Sequence, residues 1–381
     1  INYSPVVDIN TNPDNPIIGN RSFGEDRDNV TNKALAYMRG MQSTGILANA
    51  KHFPGHGDTD LDSHKILPTI SFTKKRLDSI ELHPYKRLFQ EGLSSVMVAH
   101  LNVPALEKRK KFPSSISKAI VTDLLQNDLN FQGLIFTDAL NMKGVSQFYI
   151  PGEVDVKALL AGNDVLLFSE DVPKAIEEIK KAIENNKISQ EEIDKRCHKI
   201  LMAKKWMGLD NYENVDVSKI ADEIITTESK LLDKKLVKFS LTLLQNYDDI
   251  LPLKRLDTLR IASVSIGEDS IDFQKMLSNY APITHFSISE KASVTEQAVL
   301  LDKLSRYNLV IASVHKSNSS AWESYKIEKS TDILLQSIAL QSKVVVSVFA
   351  NPYSLNSFLF TNNFDALLLG YQNSKVAQEQ V

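Results

Sequence analysis

The segment at residues 51–64 reads KHFPGHGDTDLDSH and carries three of the chain's eight histidines, three aspartates and a lysine. An apolar run, residues 45–50, leads into it, and Pro54, Gly55 and Gly57 interrupt it. This pattern predicts a short strand that stops at a polar loop. Catalytic residues usually lie on loops that a rigid scaffold positions. We therefore expect the rest of the fold to present this loop.

The composition of the chain limits its broad class. With 381 residues it is long enough for two domains. Hydrophobic residues make up 43% and charged residues 24%, as in ordinary globular proteins. The net charge of −3 leaves no broad basic surface for nucleic acid, and no run of about eighteen apolar residues could span a membrane. A single cysteine, Cys197, excludes a disulfide within the chain, and we expect it on the apolar side of a helix.

Short apolar runs alternate with amphipathic helical patterns over the first half of the chain. We predict five strands, at residues 3–10, 46–50, 95–99, 134–137 and 164–168. The second, third and fourth are followed by Lys51, His100 and Asp138. Strands that alternate with helices form a parallel sheet, whose carboxyl edge is the active-site face of a (β/α)8 barrel and the ligand edge of an open doubly wound sheet. Five strands would leave a barrel about three short of its eight.

The second half of the chain predicts a separate α/β domain. Residues 209–229 are polar and weakly patterned, and we take them as a linker between domains at residues 1–208 and 230–381. Strands are predicted at residues 260–266, 283–288, 309–314, 344–349 and 366–369, with helices between them. This alternation indicates a mainly parallel sheet. Gly267 stands alone after the first of these strands, so the domain lacks a glycine-rich phosphate loop.

The residues suited to chemistry lie at the predicted edge of the first sheet. Asp62, two positions before His64, is placed to accept an imidazole N–H, which would fix the tautomer of His64 and make it a general acid/base near neutral pH. Asp138 ends an apolar strand, and a rigid carboxylate is a good nucleophile toward a sugar carbon. Donors that could hold sugar hydroxyls are Arg21, Lys51 and His52.

Each of these roles has a simpler alternative. His64 and Asp62 could share an ordinary surface hydrogen bond, and Asp138 could cap the helix that follows its strand. The three histidines of the loop, with Asp58, are metal-ligand residue types, but their spacing matches neither the H-E-x-x-H motif nor a Cys/His site. We therefore expect no metal and no cofactor.

Four ordered motifs resemble one known family. They are KHFPGHG at residues 51–57 with DSH at 62–64, GLIFTDALNM at 133–142, NRSFGED at 20–26, and SLTLLQN at 240–246 followed by ILPL at 250–253. Together they resemble glycoside hydrolase family 3, and within it the bacterial β-N-acetylglucosaminidase branch of NagZ-like enzymes. The motifs are long and cover most of the chain.

The resemblance implies a (β/α)8 TIM-type barrel, N-terminally truncated here, followed by an α/β sandwich domain. It also implies a retaining two-step mechanism in which Asp138 is the nucleophile, His64 the acid/base and Asp62 its partner. The residues that would hold N-acetylglucosamine are Arg21, Lys51 and His52. A further substrate-binding aspartate of the family lies upstream of the residues in this chain, so we expect the barrel here to be incomplete.

The expected activity is exo-acting hydrolysis of terminal N-acetylglucosamine from peptidoglycan fragments or chitooligosaccharides. For such an enzyme we expect an exported, periplasmic or cell-envelope location rather than a cytoplasmic one. One alternative is a phosphorylase with the same residues, because a neutral histidine acid/base adds no negative charge near an incoming phosphate. Another is a sugar-binding pseudoenzyme, although both His64 and Asp138 are present.

Overall fold

The computed structural model describes residues 1–59, 66–267, 271–316 and 326–381. By its internal contacts the chain divides into two compact units, Ile1–Asn214 and Val215–Val381. The division falls within residues 209–229, which the sequence predicts as a linker. Asp62 and His64 lie outside the described residues, so their roles stay predictions.

The sheet of the first unit is parallel. Its strands, in spatial as well as chain order, are β1 (Asn49–Phe53), β2 (Ser95–Val98) and β3 (Leu134–Thr137). Every residue of these strands is buried except Lys51, which is half-buried. Strands buried on both faces are typical of a parallel sheet that helices cover.

The predicted first and fifth strands form isolated bridges to this sheet rather than ladders. Val6 bridges β1 on one side, and Val165 bridges β3 on the other. Pro5 has no N–H to donate to a ladder, and the Asp164 carboxylate accepts a β3 backbone N–H at 2.8 Å. Both segments keep backbone hydrogen bonds to the sheet, since Lys51 N–H donates to the Pro5 carbonyl at 3.2 Å and Thr137 N–H to the Val165 carbonyl at 3.0 Å, but neither forms the full strand predicted.

Strand β1 begins later than predicted and runs through two polar residues. The sequence predicts a strand at residues 46–50 that ends before Lys51, whereas Lys51 and His52 both lie inside β1. The prediction is wrong because a distant carboxylate, described below, accepts the His52 ring N–H and so allows this polar side chain to be buried. The Lys51-His52 and Phe53-Pro54 peptide bonds are cis.

Helices accompany the sheet of the first unit. They are α1 (Arg27–Gln42), α2 (Lys74–Ser79), α3 (His83–Gln90), α4 (Lys143–Ser146), α5 (Glu153–Ala161), α6 (Val172–Glu184) and α7 (Gln190–Trp206). Residues Ala119–Asp128 form a further helix with π-type hydrogen bonding. Several helices begin at a side chain that accepts a first-turn N–H, namely Asp26, Thr73, Asp171 and Ser189. Cys197 on α7 is exposed, contrary to our prediction, and the helix instead packs through the partly buried Ile193, Ile200 and Ala203.

The largest core of the first unit lies between these helices and the sheet. Met38 of α1, Leu77 of α2 and Leu88 of α3 join Phe53 and Val98 of the sheet in one buried cluster. Burial of such a side chain contributes about 1.5–3 kcal/mol. The cluster therefore fixes the strands whose carboxyl ends carry the candidate site.

The second unit contains a six-stranded sheet of order β4-β9-β8-β7-β5-β6. Its strands are β4 (Thr242–Asn246), β5 (Ile261–Gly267), β6 (Ile283–Ile288), β7 (Leu309–His315), β8 (Lys343–Phe349) and β9 (Ala366–Leu369). All pairs are parallel except β4 with β9 at one edge. This confirms the mainly parallel sheet that the sequence predicts.

Helices alternate with the strands of the second sheet. They are α8 (Ile220–Ile224), α9 (Thr227–Ser240), α10 (Ile271–Leu277), α11 (Val294–Leu304), α12 (Lys329–Ala339) and α13 (Lys375–Gln380). The α/β architecture predicted for both halves of the chain is confirmed. Within the ranges that the structure describes, no helix is both long and apolar enough to cross a membrane.

Candidate active site

Asp8 is a buried carboxylate that ties the N-terminal segment to the end of β1. It follows the buried residues Val6 and Val7 and is itself 1% exposed. Its oxygens accept the backbone N–H of His52 at 3.1 Å and that of His56 at 2.8 Å. Burial raises the pKa of Asp8, but the rings and N–H groups of the two histidines outweigh burial, so its pKa lies below the ordinary value.

The ring of His52 lies between Asp8 and Arg21. Its Nδ1 is 2.7 Å from Asp8 Oδ2, and its Nε2 is 3.3 Å from Arg21 Nη2. A guanidinium has only donors, so Nε2 must accept and a neutral His52 carries its proton on Nδ1. We predicted His52 as a donor to a sugar hydroxyl. In this arrangement its one ring N–H goes to Asp8 instead, and its part in sugar binding stays a prediction.

Asp138 directly follows β3 and is half-buried. Its Oδ1 accepts the Ala139 N–H at 2.9 Å, which orients the carboxylate. Burial raises the pKa of Asp138, but His52, His100, the Ala139 N–H and Lys51 together lower it below the ordinary value. The next helix, α4, has Met142 at its N-terminal cap, so Asp138 does not cap it as the simpler alternative supposed.

Lys51 completes a group of mutually interacting charges at this edge. Burial and the charge of Arg21 lower the pKa of Lys51, while Asp138 and Asp8 act in the opposite direction. The structure therefore brings together all four predicted site residues that it describes, which are Arg21, Lys51, His52 and Asp138.

His100 is a further residue at this edge, which the sequence places after a strand without assigning it a role. It lies just after β2 and is fully buried. Its Nε2 donates to the carbonyl oxygen of Ala139 at 2.9 Å, and its Nδ1 accepts from the Ser115 hydroxyl at 2.6 Å. His100 thus holds the residue that follows Asp138. Its place directly after a strand was the signal that could have identified it.

His56 is buried next to the same charges. It is 1% exposed, and its Nδ1 lies 2.8 Å from the hydroxyl of Thr59. Burial and the neighbouring His52 lower the pKa of His56 to about 4, against the opposing effects of Asp8 and Asp138. His56 is therefore neutral near pH 7. Thr59 is the last described residue before the segment that holds Asp62 and His64.

The two glycines of the KHFPGHG motif allow close approaches. A Cβ on Gly57 would lie 1.9 Å from the carbonyl oxygen of Ile9, and one on Gly55 would lie 2.8 Å from Cβ of Glu81. Gly55 also has a φ of +134°, which side-chain-bearing residues rarely adopt. The motif therefore needs glycine at position 57 to pack against Ile9, which follows Asp8, and at position 55 to pack against Glu81.

The metal alternative involves His52, His56, Asp58 and His64. In the described parts of the chain, no group of three histidine, cysteine, aspartate or glutamate side chains is arranged to hold a metal ion. Asp8 and His52 hydrogen-bond to each other. The third loop histidine, His64, lies outside the described residues.

The N-terminal unit matches a family model over most of its length. The model describes the glycosyl hydrolase family 3 N-terminal domain and matches residues 1–203, more than half of the chain. This chain belongs to glycosyl hydrolase family 3. The membership that the sequence motifs suggested is thereby confirmed.

Relatives within the family carry related names. The chain is 37% identical over 177 residues to "Beta-hexosaminidase A" of Pseudoalteromonas piscicida, which covers 44% of this chain and 30% of that protein. It is 34% identical over 206 residues to "Beta-hexosaminidase LpqI" of Mycobacterium tuberculosis, covering 51% of each. The chain thus spans about half or less of the length of these two relatives.

A solved structure extends the similarity to both units. It is a glycoside hydrolase family 3 β-N-acetylglucosaminidase from Paenibacillus sp. str. FPU-7. The TM-score is 0.79 at 28% identity, and the match covers 100% of this chain and 72% of that one. The second unit is therefore included in the fold that the two proteins share.

Proposed function

We propose that the protein is a retaining, exo-acting β-N-acetylglucosaminidase that releases terminal N-acetylglucosamine from peptidoglycan fragments or chitooligosaccharides. The observation that carries this proposal is Asp138, a half-buried carboxylate after β3 whose pKa the neighbouring His52, His100 and Lys51 lower. The relatives named β-hexosaminidase and β-N-acetylglucosaminidase support the choice of sugar.

In the first step Asp138 acts as the nucleophile. One of its oxygens attacks the anomeric carbon, a carbon–oxygen bond to the enzyme forms, and the bond to the leaving oxygen breaks. The lowered pKa keeps the carboxylate ionised at the pH at which it must attack. The Ala139 N–H fixes its orientation, and His100 holds Ala139 in turn.

His64 supplies the proton of the first step and removes one in the second. It protonates the leaving oxygen, then accepts a proton from the water that attacks the anomeric carbon and frees Asp138. Asp62 would accept the other ring N–H and favour the protonated form. The chain just before this pair is anchored, because Asn15 donates to the His56 carbonyl at 2.9 Å and His56 contacts Thr59.

Arg21 and Lys51 are proposed to hold the sugar. Both are cations at the same edge as Asp138, and Arg21 is oriented by the Ile17 carbonyl at 3.0 Å and by His52. Hydrogen bonds from charged donors are about twice as strong as neutral ones. Such contacts would place the anomeric carbon within reach of Asp138.

The test is turnover of 4-nitrophenyl β-N-acetylglucosaminide by the whole protein, in buffer with and without phosphate. Release of nitrophenol that does not depend on phosphate supports the hydrolase. A strong dependence on phosphate, with sugar 1-phosphate as product, would replace it with the phosphorylase. Binding of the sugar without any turnover would replace it with the pseudoenzyme.

A further inference from the structure

The two oxygens of the Asp8 carboxylate have different hydrogen-bond partners. Oδ1 accepts the backbone N–H of His56 at 2.8 Å and that of His52 at 3.1 Å. Oδ2 faces the His52 ring nitrogen Nδ1 at 2.7 Å and lies 3.1 Å from the same backbone nitrogen. Since Asp8 is 1% exposed, these protein groups rather than bulk water satisfy its charge.

The far side of the His52 ring faces a group that can only donate. Arg21 Nη2 lies 3.3 Å from His52 Nε2. The bond requires a lone pair on Nε2, which leaves the ring proton on Nδ1, between the ring and Asp8. The other end of the guanidinium donates to the Ile17 carbonyl at 3.0 Å. The guanidinium is thus held between two acceptors of the protein.

We propose that Asp8 is a positioning residue: its carboxylate fixes the ring proton of His52 on Nδ1, so that Nε2 is available to accept from Arg21 and orient its guanidinium. Asp8 touches no reacting atom and acts through His52. The consequence for sugar binding rests on the proposed function, whereas the proton position does not.

Replacement of Asp8 by asparagine separates this role from simple anchoring. An amide oxygen in place of Oδ1 still accepts the two backbone N–H groups, and the side chain keeps its volume. An amide NH2 in place of Oδ2 can only donate, so it would face the His52 Nδ1 with a hydrogen. The ring proton must then move to Nε2, where it meets the donors of Arg21. Asp8→Asn is therefore expected to reverse the tautomer of His52 without removing the backbone anchors.

The experiment is a long-range 1H–15N correlation spectrum of the whole protein, labelled with 15N-histidine, at a pH where the rings are neutral. His52→Gln assigns the signal. We expect the Nδ1–H form of His52 in the wild type and the Nε2–H form in Asp8→Asn. The same form in both proteins would overturn the proposal.

Two controls accompany this measurement. His100 donates from Nε2 to a carbonyl, so its Nε2–H form should persist in both proteins. Asp58→Asn changes another aspartate of the same loop, whose carboxylate accepts from the Thr11 hydroxyl at 2.8 Å, and should leave His52 as Nδ1–H. If Asp8→Asn does not fold, the wild-type spectrum decides alone, because an Nε2–H form of His52 there contradicts the proposal.

Kinetics provide a second readout in the active protein. Asp8→Asn and His52→Ala should each lower kcat/KM by roughly 10- to 100-fold, by analogy with the residues that orient metal-binding histidines. Because Asp8 acts through His52, the double variant should lose no more than the more damaging single change. If the fold-loss of the double variant equals the product of the two single fold-losses, Asp8 acts independently of His52, and the proposal is overturned. Absence of turnover in the wild type would refute the proposed function but leave the spectrum valid.

Discussion

The carboxyl edges of the two sheets differ in the residues that end their strands. In the first unit, polar residues lie in the strands or within two residues of their ends, namely Lys51, His52, His100 and Asp138. In the second unit, β5, β8 and β9 end in Gly267, Phe349 and Leu369. Strand β7 ends in His315, whose ring stacks on Phe349 with centroids 4.7 Å apart.

The comparison shows that a parallel α/β sheet does not by itself place reactive side chains at its carboxyl edge. At the first edge, each buried charge lies next to an opposite charge or a donor, as Asp8 does with His52. At the second, His315 is used in packing and in a 2.8 Å hydrogen bond to Asn373. Function therefore depends on the strand-end side chains rather than on the architecture.

Replacement of Asp138 should cause the largest loss of activity, because Asp138 lies at the edge that carries the reactive side chains. Asp138→Ala is expected to lower kcat by about 10⁴-fold or more, because the covalent step loses its nucleophile. Hydrolysis of the nitrophenyl substrate measures it, and circular dichroism should show an intact fold. Asp257→Asn, on an exposed aspartate of the second unit, is the matched control and should retain activity. Retained activity in Asp138→Ala would remove this residue from the nucleophile role.

Replacement of His64 should cause a large loss of activity that depends on the leaving group of the substrate. His64→Ala is expected to slow substrates with poor leaving groups by roughly 10²- to 10⁴-fold, because these need protonation of the leaving oxygen. Aryl substrates with good leaving groups should lose less in the first step. The measurement compares kcat/KM across a series of leaving groups. An equal loss across the series would contradict the acid role.

The buried His56 should make the first unit sensitive to acid. With a folded pKa of about 4, below the unfolded value of about 6.5, His56 contributes stability above pH 6.5 that is lost as the pH falls toward 4. The expected loss of unfolding free energy is about 3 kcal/mol. Urea unfolding at pH 7 and pH 4 should show a smaller loss in His56→Gln. The exposed His198→Gln is the control, and equal losses in all three proteins would contradict the prediction.

The strand-end histidine of the second unit should affect stability alone. His315→Ala removes the Phe349 stack and the bond to Asn373, and we expect a loss of about 1–3 kcal/mol in unfolding free energy. The value of kcat for the nitrophenyl substrate should stay within about twofold. A folded His315→Ala protein that has lost activity would contradict the claim that His315 affects stability alone.

Local pattern predicted the strands better than it predicted the site. β2 and β3 lie within one residue of their predicted bounds, because uninterrupted apolar runs mark buried parallel strands. The pattern missed the polar half of β1, since His52 can be buried only through Asp8, 44 positions away in sequence. Asp8 itself follows an apolar pair, Val6 and Val7, as Asp138 follows β3, so the same rule could have identified it.

The roles of the site residues depended on contacts that no spacing rule contains. Arg21 and Lys51 were identified as donors for sugar hydroxyls, but the contact of Arg21 with His52 and the effect of Lys51 on the pKa of Asp138 arise from the fold. The sequence assigned no role to His100, since a lone histidine is more often packed than functional. Its bond to the Ala139 carbonyl is visible only once β2 and β3 lie side by side.

The most direct test of the account is to trap the covalent intermediate on the whole protein. An N-acetylglucosaminyl fluoride with a further fluorine on the sugar ring should react quickly with the nucleophile and be released slowly, because fluorine destabilises the oxocarbenium-like transition state and fluoride leaves readily. Intact-mass and peptide mass spectrometry then locate the label. The account predicts one sugar attached to the carboxylate of Asp138. A label on a different residue, or steady turnover with no labelled enzyme, would contradict it.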